Sequence, residues 1–330
     1  MLLQNTHSNS RTILVTGGAG FIGSHVAQLL VEQGFRVVVL DNLSTGVRSA
    51  VPHDAVFIEG DVRTKADVAR AFEQRVDVVF HIAGQASIML SYSDPAHDLS
   101  VNTVGTLNIL EGCIEHKVSR LLFASSMTVY GNPSITPTPE TTFADPVSYY
   151  ALTKYAAERY VHLTAARADI VPRLNVTSFR MFNVYGEGQS LTNPYQGVLA
   201  IFIGRMLRGE EIVIHGDGEQ SRDFVHIDDV SRAWVGAIDV KSTYGRVLNL
   251  GTGTPTTVNQ LCDAVLSAFG HTRQTYPVRY QSTQLGDLRV SAADTTLVTT
   301  LLDWKQQVPL TDGIQRTIDW ARATHRPATS

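Results

Sequence analysis

The run Ile13-Leu14-Val15-Thr16-Gly17-Gly18-Ala19-Gly20-Phe21-Ile22-Gly23 restricts what this chain can fold into more than any other feature. A β-branched apolar stretch ends in Gly17, Gly20 and Gly23, and an amphipathic segment with Phe21, Ile22, Val26, Leu29 and Leu30 follows at once. Each glycine has a physical use. Gly17 permits a tight turn out of a strand. Gly20 lets backbone N–H groups approach a pyrophosphate with no Cβ in the way. Gly23 lets the helix pack close, with the positive end of its dipole towards the phosphates. Gly34 reads as the helix C-terminal cap, 36–40 as a second strand, and Asp41 stands at its carboxyl end. An acidic side chain there accepts hydrogen bonds from both ribose hydroxyls of an adenosine and repels a 2′-phosphate. The unit predicts a dinucleotide site that takes NAD rather than NADP.

At 330 residues the chain exceeds one small core, so a large α/β domain with a smaller appended region is expected. A net charge of −4 leaves no electrostatic footprint for nucleic acid or an anionic membrane. Cys113 and Cys262 lie far apart, which argues against a disulfide framework or a zinc site, and the histidines are scattered, so no metal is expected. Residues 1–10 are polar, with no apolar leader, and no later run reaches membrane-spanning length. The expectation is a cytoplasmic protein with a disordered first ten residues.

Beyond Asp41 the βα alternation continues. A polar loop (Asn42, Ser44, Gly46) leads to a short strand at 55–58, then Gly60-Asp61-Val62 and a helix at 64–74 with Val68, Ala71 and Phe72 on one face. A buried strand at 77–81 ends in Ile82-Ala83-Gly84-Gln85-Ala86-Ser87, small residues that leave room for a ligand in the crevice. One long helix is predicted over 95–116, with Leu99, Val101, Val104, Leu107, Leu110 and Ile114 inward. Asn102 on that helix reads either as a ligand contact or as a hydrogen-bonded core residue. A strand at 120–124 runs into Ser125-Ser126-Met127-Thr128-Val129-Tyr130-Gly131, and 132–146 forms a loop over the crevice.

The chemistry points to Ser148-Tyr149-Tyr150-Ala151-Leu152-Thr153-Lys154. Ser148 caps a helix on which Tyr150 and Lys154 stand one turn apart. A free tyrosine has a pKa of about 10, so as a base near neutrality it needs help. A nearby ammonium and a nicotinamide cation both favour phenolate, and Ser126 orients the same substrate oxygen.

With Asp61-Val62, Asn102, Phe182-Asn183-Val184-Tyr185-Gly186, Arg222-Asp223-Phe224-Val225-His226 and Gly286-Asp287 added, the chain resembles the extended short-chain dehydrogenase/reductases. Within them it is similar to the NAD-dependent nucleotide-sugar epimerase/dehydratase group. That resemblance implies a Rossmann-type, doubly wound parallel sheet over 11–180 and a smaller mixed α/β substrate-binding region over 181–330, some of whose elements return to the first domain. It implies Ser126, Tyr150 and Lys154 as the catalytic set. NAD contacts would come from Gly17, Gly20, Phe21, Ile22, Gly23, Asp41, Asn42, Ser44, Gly46, Asp61, Val62, Ile82, Ala83, Gly84, Gln85, Asn102, Ser125, Tyr150, Lys154 and Val184. Substrate contacts would come from Ser87, Ser126, Thr128, Tyr150, Asn183, Gln196, Val198, His215, Arg222, Asp287 and Ser291. A guanidinium fork at Arg222 suits phosphate oxygens, and a surface salt bridge with Asp223 is the plainer alternative. A homodimer through the helices of Asn102 and Tyr150 is also implied, although their apolar faces serve a core equally well.

In the second half, strands are predicted at 176–182, 211–215, 224–226 and 247–250, and helices up to Leu207, at 228–239, at 258–269 and at 313–323 with Ile314, Ile318 and Trp320 buried. Dehydratase relatives carry Asp and Glu where this chain has Met127 and Thr128, and uronate epimerases an Arg where it has Glu187-Gly188-Gln189-Ser190. The Ser-x-Thr-Val-Tyr-Gly form is similar to 4-epimerases of UDP-hexoses, working through a transient 4-keto sugar. Gln284 and His215 depart from the usual Arg and Phe of that group, with Arg279 or Arg289 as compensation for the first, so dTDP stays beside UDP as the nucleotide. A reductase, dehydratase or uronate epimerase of the same family is the alternative enzyme, and a non-catalytic NAD sensor the alternative binding protein. Four residues beyond Asp287, the small Ser291 either leaves room for an acetamido group or packs away from the sugar.

Overall fold

In a computed structural model, which describes residues 11–193, 197–282 and 289–324, βα alternation fills the first half. The elements are β1 (Thr12–Thr16), α1 (Phe21–Glu32), β2 (Arg36–Asp41), β3 (Val56–Glu59), α2 (Lys65–Phe72), β4 (Val78–His81), α3 (Ile88–Ser93), α4 (Pro95–Leu99), α5 (Gly105–Glu115), β5 (Arg120–Ser126), α6 (Tyr149–Ala165) and β6 (Asn175–Met181). The second half adds β7 (Asn183–Tyr185), α7 (Val198–Leu207), β8 (Ile212–His215), β9 (Ser221–His226), α8 (Ile227–Gly236), β10 (Arg246–Leu250), β11 (Pro255–Thr257), α9 (Val258–Ala268), β12 (Val278–Gln281), α10 (Thr296–Leu302) and α11 (Leu310–Thr324). The sequence did not point to α3, α10, β7, β11 or β12, all short elements whose patterns are too brief to register.

Seven parallel strands form one sheet in the order β10-β6-β5-β4-β1-β2-β3. The order reverses between β1 and β4, and at such a switch point a crevice opens beyond the strand ends. Strand periodicity divides the core into two layers. Ile13, Val15, Phe80 and Phe179 face α1 and α8, where Trp234 packs on the Phe80 and Phe179 rings at 5.6 and 5.2 Å. Leu14, Val79, Leu121 and Phe123 face α2, α5 and α6. Each such fully buried side chain contributes about 1.5–3 kcal/mol. A third cluster joins α7, α9 and α11 to β8 and β9 and buries Ile314 and Ile318, with Trp320 half-buried at its edge. A three-stranded sheet (β11-β9-β7) and a two-stranded one (β12-β8) complete this smaller region.

The helix predicted over 95–116 is interrupted by a π-helical stretch, Ser100–Val104. A π-turn inserts a residue and rotates the following face. Leu99 (48 % exposed), which ends α4 before that stretch, and Val104 (42 %) point outward, while Asn102, Thr103, Thr106 and Asn108 turn inward beside Ile109 and Leu110.

Candidate active site

The glycine turn meets the needs read from its sequence. Gly17 has φ +71°, and a Cβ there would lie 2.7 Å from the Ala83 nitrogen; one at Gly23 would strike the Gly17 carbonyl. Gly20 is the N-cap of α1, and no side chain caps the helix. A Cβ at Gly46 would meet Ala19 and Gly20 at 2.6–2.9 Å, so the loop after β2 lies on the glycine turn. Asp41 is buried, its Oδ2 accepting from the Ala19 N–H (3.0 Å) and its Oδ1 from the Leu43 N–H (2.8 Å). Asn42 donates to Asp61 (2.8 Å). The Asp61 carboxyl is held down at about 2, by the Arg63 guanidinium against the opposing effect of burial. Phe21 and Ile22 are half-buried in the first turn of α1, Ser44 is exposed, and Val62 packs against Gly105. A bare-backbone cradle, an uncapped helix N-terminus and a carboxylate at the end of β2 fit an adenosine diphosphate group such as that of NAD.

A buried relay ties this turn to the neighbouring strand end. The Thr106 hydroxyl donates to the Asn102 carbonyl (2.6 Å), so it accepts from His81 Nε2 (2.9 Å). His81 Nδ1 then accepts from the Thr16 hydroxyl (2.7 Å), which in turn takes the Ile82 and Ala83 N–H groups (3.2 Å each). Burial and the Lys154 charge push His81 down to about 3, so it is neutral. No sequence signal marked this histidine beyond its place at the end of a strand.

The catalytic candidates meet on the far side of the crevice. Ser148 caps α6 by accepting from the Ala151 N–H (3.1 Å). Tyr150, Lys154 and Glu158 then share one face at successive turns. Tyr150 is half-buried, with the Ser126 hydroxyl at the end of β5 as its hydrogen-bond partner. Thr128 donates to the same Ser126 oxygen (2.9 Å). Burial raises the Tyr150 phenol above its ordinary range, Ser126 works against that, and the Asp98 charge adds to it. The ammonium expected to assist is itself pushed down to about 8 by burial, with Asp98 and Glu158 pulling it back up. Lys154 stands over the Phe123 ring at 4.7 Å, and a Cβ on Gly84 would lie 3.5 Å from its Nζ.

Several candidates have side chains engaged within the protein. Asn102 resolves as a core residue: its Oδ1 takes the Gln85 N–H (2.9 Å), and its Nδ2 faces Gln85, Asp98 and Thr153. The Gln85 side chain bonds Ser87 and Asp98, and Ser87 caps α3 by accepting from the Leu90 N–H (3.1 Å). Ser125 donates to Glu158 (2.6 Å). Glu158 in turn forms a bidentate pair with Arg180 (2.6 and 3.0 Å), both buried. Sequence reading passed over Asp98, Glu158 and Arg180, because single charges on a helix or strand look like solvated surface until the packing is known.

On the substrate side, Asn183 Oδ1 is buried with no hydrogen-bond partner among the described residues. Arg222 and Asp223, neighbours on β9, turn to opposite faces. Asp223 accepts from Thr252, Gly253 and Ala293 at 2.7–2.9 Å, which removes the simple pairing of the two as an explanation for Arg222. His215 ends β8, and its Nδ1 lies 3.3 Å from the Ser282 carbonyl. Ser291 is buried with its Oγ 3.7 Å from Met127 Sδ, which puts it beside the turn of Ser126 rather than in a remote strand. Val184 and Val198 are half-buried at the starts of their elements. Arg279 pairs with Glu211, and Arg289 with Asp217, so both proposed replacements for Gln284 hold carboxylates. Gln196, Gln284, Gly286 and Asp287 lie outside the described residues, as do residues 1–10. Among the described residues no three His, Cys, Asp or Glu side chains gather as a metal site, and no helix is long and apolar enough to cross a membrane.

Known proteins resemble this chain in sequence and in fold. The profile of the NAD dependent epimerase/dehydratase family matches residues 13–251. The chain belongs to that family. Among relatives of the epimerase/dehydratase family, the UDP-glucose 4-epimerase of Mycolicibacterium smegmatis is 36% identical over 316 residues, covering 94% of this chain and 98% of the relative. The solved UDP-glucose 4-epimerase of Thermotoga maritima with UDP-glucose superposes with a TM-score of 0.90 at 40% identity, covering 96% of this chain and 100% of that one. The Thermus thermophilus UDP-glucose 4-epimerase complex with NAD gives 0.86 at 35% identity, covering 94% and 99%. The expected NAD cofactor and Rossmann-type fold are thus properties of the family this chain belongs to.

Proposed function

We propose that this protein interconverts the C4 epimers of a UDP-hexose, UDP-glucose and UDP-galactose first, with a tightly held NAD. The observation that carries the reading is the meeting of Ser126, Tyr150 and Lys154 at the crevice above the glycine turn. Bound NAD accepts a hydride from the sugar C4 and returns it, so no net redox occurs. Tyr150 takes the proton of the 4-hydroxyl and later gives it back, with Ser126 and Thr128 orienting that oxygen. Lys154 seats the nicotinamide ribose. Because burial leaves the phenol above its ordinary range, the cation of the oxidised nicotinamide is what brings Tyr150 into use near neutrality. Asn183 and Arg222 hold the diphosphate, about which the 4-keto sugar turns to offer its other face. Met127 and Thr128 in place of an acid–base pair favour this outcome over dehydration.

The small Ser291 beside Met127 supports tolerance of N-acetylated hexoses. An exposed apolar surface on α3 to α6, with Leu90, Leu99, Val104, Leu152, Tyr160 and Leu163, supports a homodimer through these helices. Two measurements test these readings. Incubation with UDP-galactose and no added NAD should yield UDP-glucose by NMR; recovery of unchanged substrate, or a product that needs an external reductant, would exclude the epimerase. Sedimentation velocity should give twice the chain mass, and a monomer at micromolar concentration would exclude the dimer.

A further inference from the structure

Asp98 has no part in the chemistry above, yet its side chain is wholly buried (0 % exposed). A carboxylate in that position is costly unless its oxygens are satisfied and its charge is answered. Its oxygens are satisfied. Oδ1 accepts from Gln85 Nε2 (2.6 Å) and Asn102 Nδ2 (3.1 Å), and Oδ2 accepts from the Thr153 hydroxyl (2.5 Å). All three donors are neutral, so none of them answers the charge.

The three partners come from three different segments that meet at Lys154. Gln85 follows Gly84, the glycine that faces the Lys154 ammonium. Asn102 lies in the π-helical stretch, and Thr153 directly precedes Lys154 on α6. The charged and titratable groups around that ammonium are few. Glu158 lies one turn further along α6 and is matched by Arg180. From β4 comes His81, which is neutral. Tyr150 lies one turn back, and β5 presents the uncharged Phe123 ring. Asp98, from α4, is the carboxylate acting on Lys154 that has no ion-pair partner among the described residues.

We propose that Asp98 is a positioning residue for the reaction: it draws the β4–α3 loop, the π-helical stretch and α6 together, and it supplies the buried counter-charge for the Lys154 ammonium. The assignment rests on the reading above only in taking Lys154 to work at the crevice. Asp98 and Asn102, four residues apart, are both buried at this junction and bonded to each other (3.1 Å). The same charge works against phenolate at Tyr150, in the same direction as burial.

The chain has five lysines (Lys65, Lys117, Lys154, Lys241 and Lys305), few enough to follow individually by 13Cε NMR on the full protein as purified. The Lys154 signal is assigned by its loss in Lys154→Arg. In Asp98→Asn its titration midpoint should fall measurably relative to wild type, the direction expected when an opposite charge acting on the ammonium is removed. An unchanged midpoint overturns the proposal. Thr153→Val keeps the charge and removes one of the three bonds, and so decides the matter even if Asp98→Asn does not fold. It should hold the wild-type midpoint while lowering kcat for UDP-galactose several-fold with KM unchanged. A Thr153→Val protein with wild-type kcat, or with a midpoint displaced from wild type, overturns it. If the wild type does not turn over UDP-galactose, the epimerase reading fails, and the two midpoints still decide the role of Asp98.

Discussion

Removal of the Arg180 guanidinium tests what holds α6, the helix of Tyr150 and Lys154, against the sheet. Arg180 on β6 makes two bonds to Glu158, and its guanidinium lies over the Tyr130 ring at 4.6 Å. In Arg180→Met the hydrophobic stem is roughly replaced, but Glu158 keeps only the Ser125 hydroxyl as a donor. Leaving one partner of a buried pair unanswered costs about 3–5 kcal/mol. For a chain of this size that corresponds to a fall in melting temperature on the order of 10 °C. Glu158 shares its helix face with Tyr150 and Lys154, so the relaxation also disturbs those two side chains. The double variant Glu158→Gln/Arg180→Met removes both charges and should recover at least half of the lost stability, because a neutral pair carries a much smaller desolvation cost. Differential scanning fluorimetry on wild type, both single variants and the double variant provides the cycle. A single variant melting within about 2 °C of wild type would refute the reasoning, as would a double variant no better than Arg180→Met.

Tyr150→Phe should retain bound NAD and substrate affinity while turnover falls by about two to four decades, measured by steady-state kinetics. Asp41→Ala should weaken NAD binding and soften discrimination against NADP by calorimetry, since the ribose acceptor and the repelling charge leave together; a wild type that prefers NADP would remove this reading of Asp41. Ser291→Tyr fills the space beside Met127 and should lose the N-acetylated substrates by roughly ten- to two-hundred-fold more than the plain hexoses. Equal losses on both substrate classes would take Ser291 out of the sugar site. Glu187 is held at about 2: burial alone would raise it, and His226 (3.0 Å) and Arg316 (2.8 Å) more than offset that. Its folded value lies below the unfolded one, so the stabilisation is present above about pH 4.5 and is lost as pH falls towards 2. Melting temperature against pH should accordingly fall less steeply over that window in Glu187→Gln than in wild type.

Much of this protein is local in character and was therefore legible in its sequence. The glycine spacing, the Asp41 position and the Ser148 cap depend on backbone geometry within a few residues, and the alternation of strands and helices depends on periodicity along one segment. These specify the parallel sheet, the cofactor class and the helix that carries Tyr150 and Lys154. Only the tertiary structure decided which faces are inside. The apolar positions Leu99 and Val104 read as core, but both are exposed and polar Asn102 and Thr106 are buried in their place. Hydrophobic pattern cannot foresee that, because the partners that satisfy Asn102 inside, Gln85 and Thr153, come from other segments. For Arg222, read from the sequence as a phosphate contact, a salt bridge with Asp223 was the alternative, and the bonds of buried Asp223 to Thr252, Gly253 and Ala293 removed it. Asp98, Glu158 and Arg180 were invisible for the same reason: a buried charge is tolerable only when distant segments bring donors and counter-charges to it, and that convergence exists only in the folded chain.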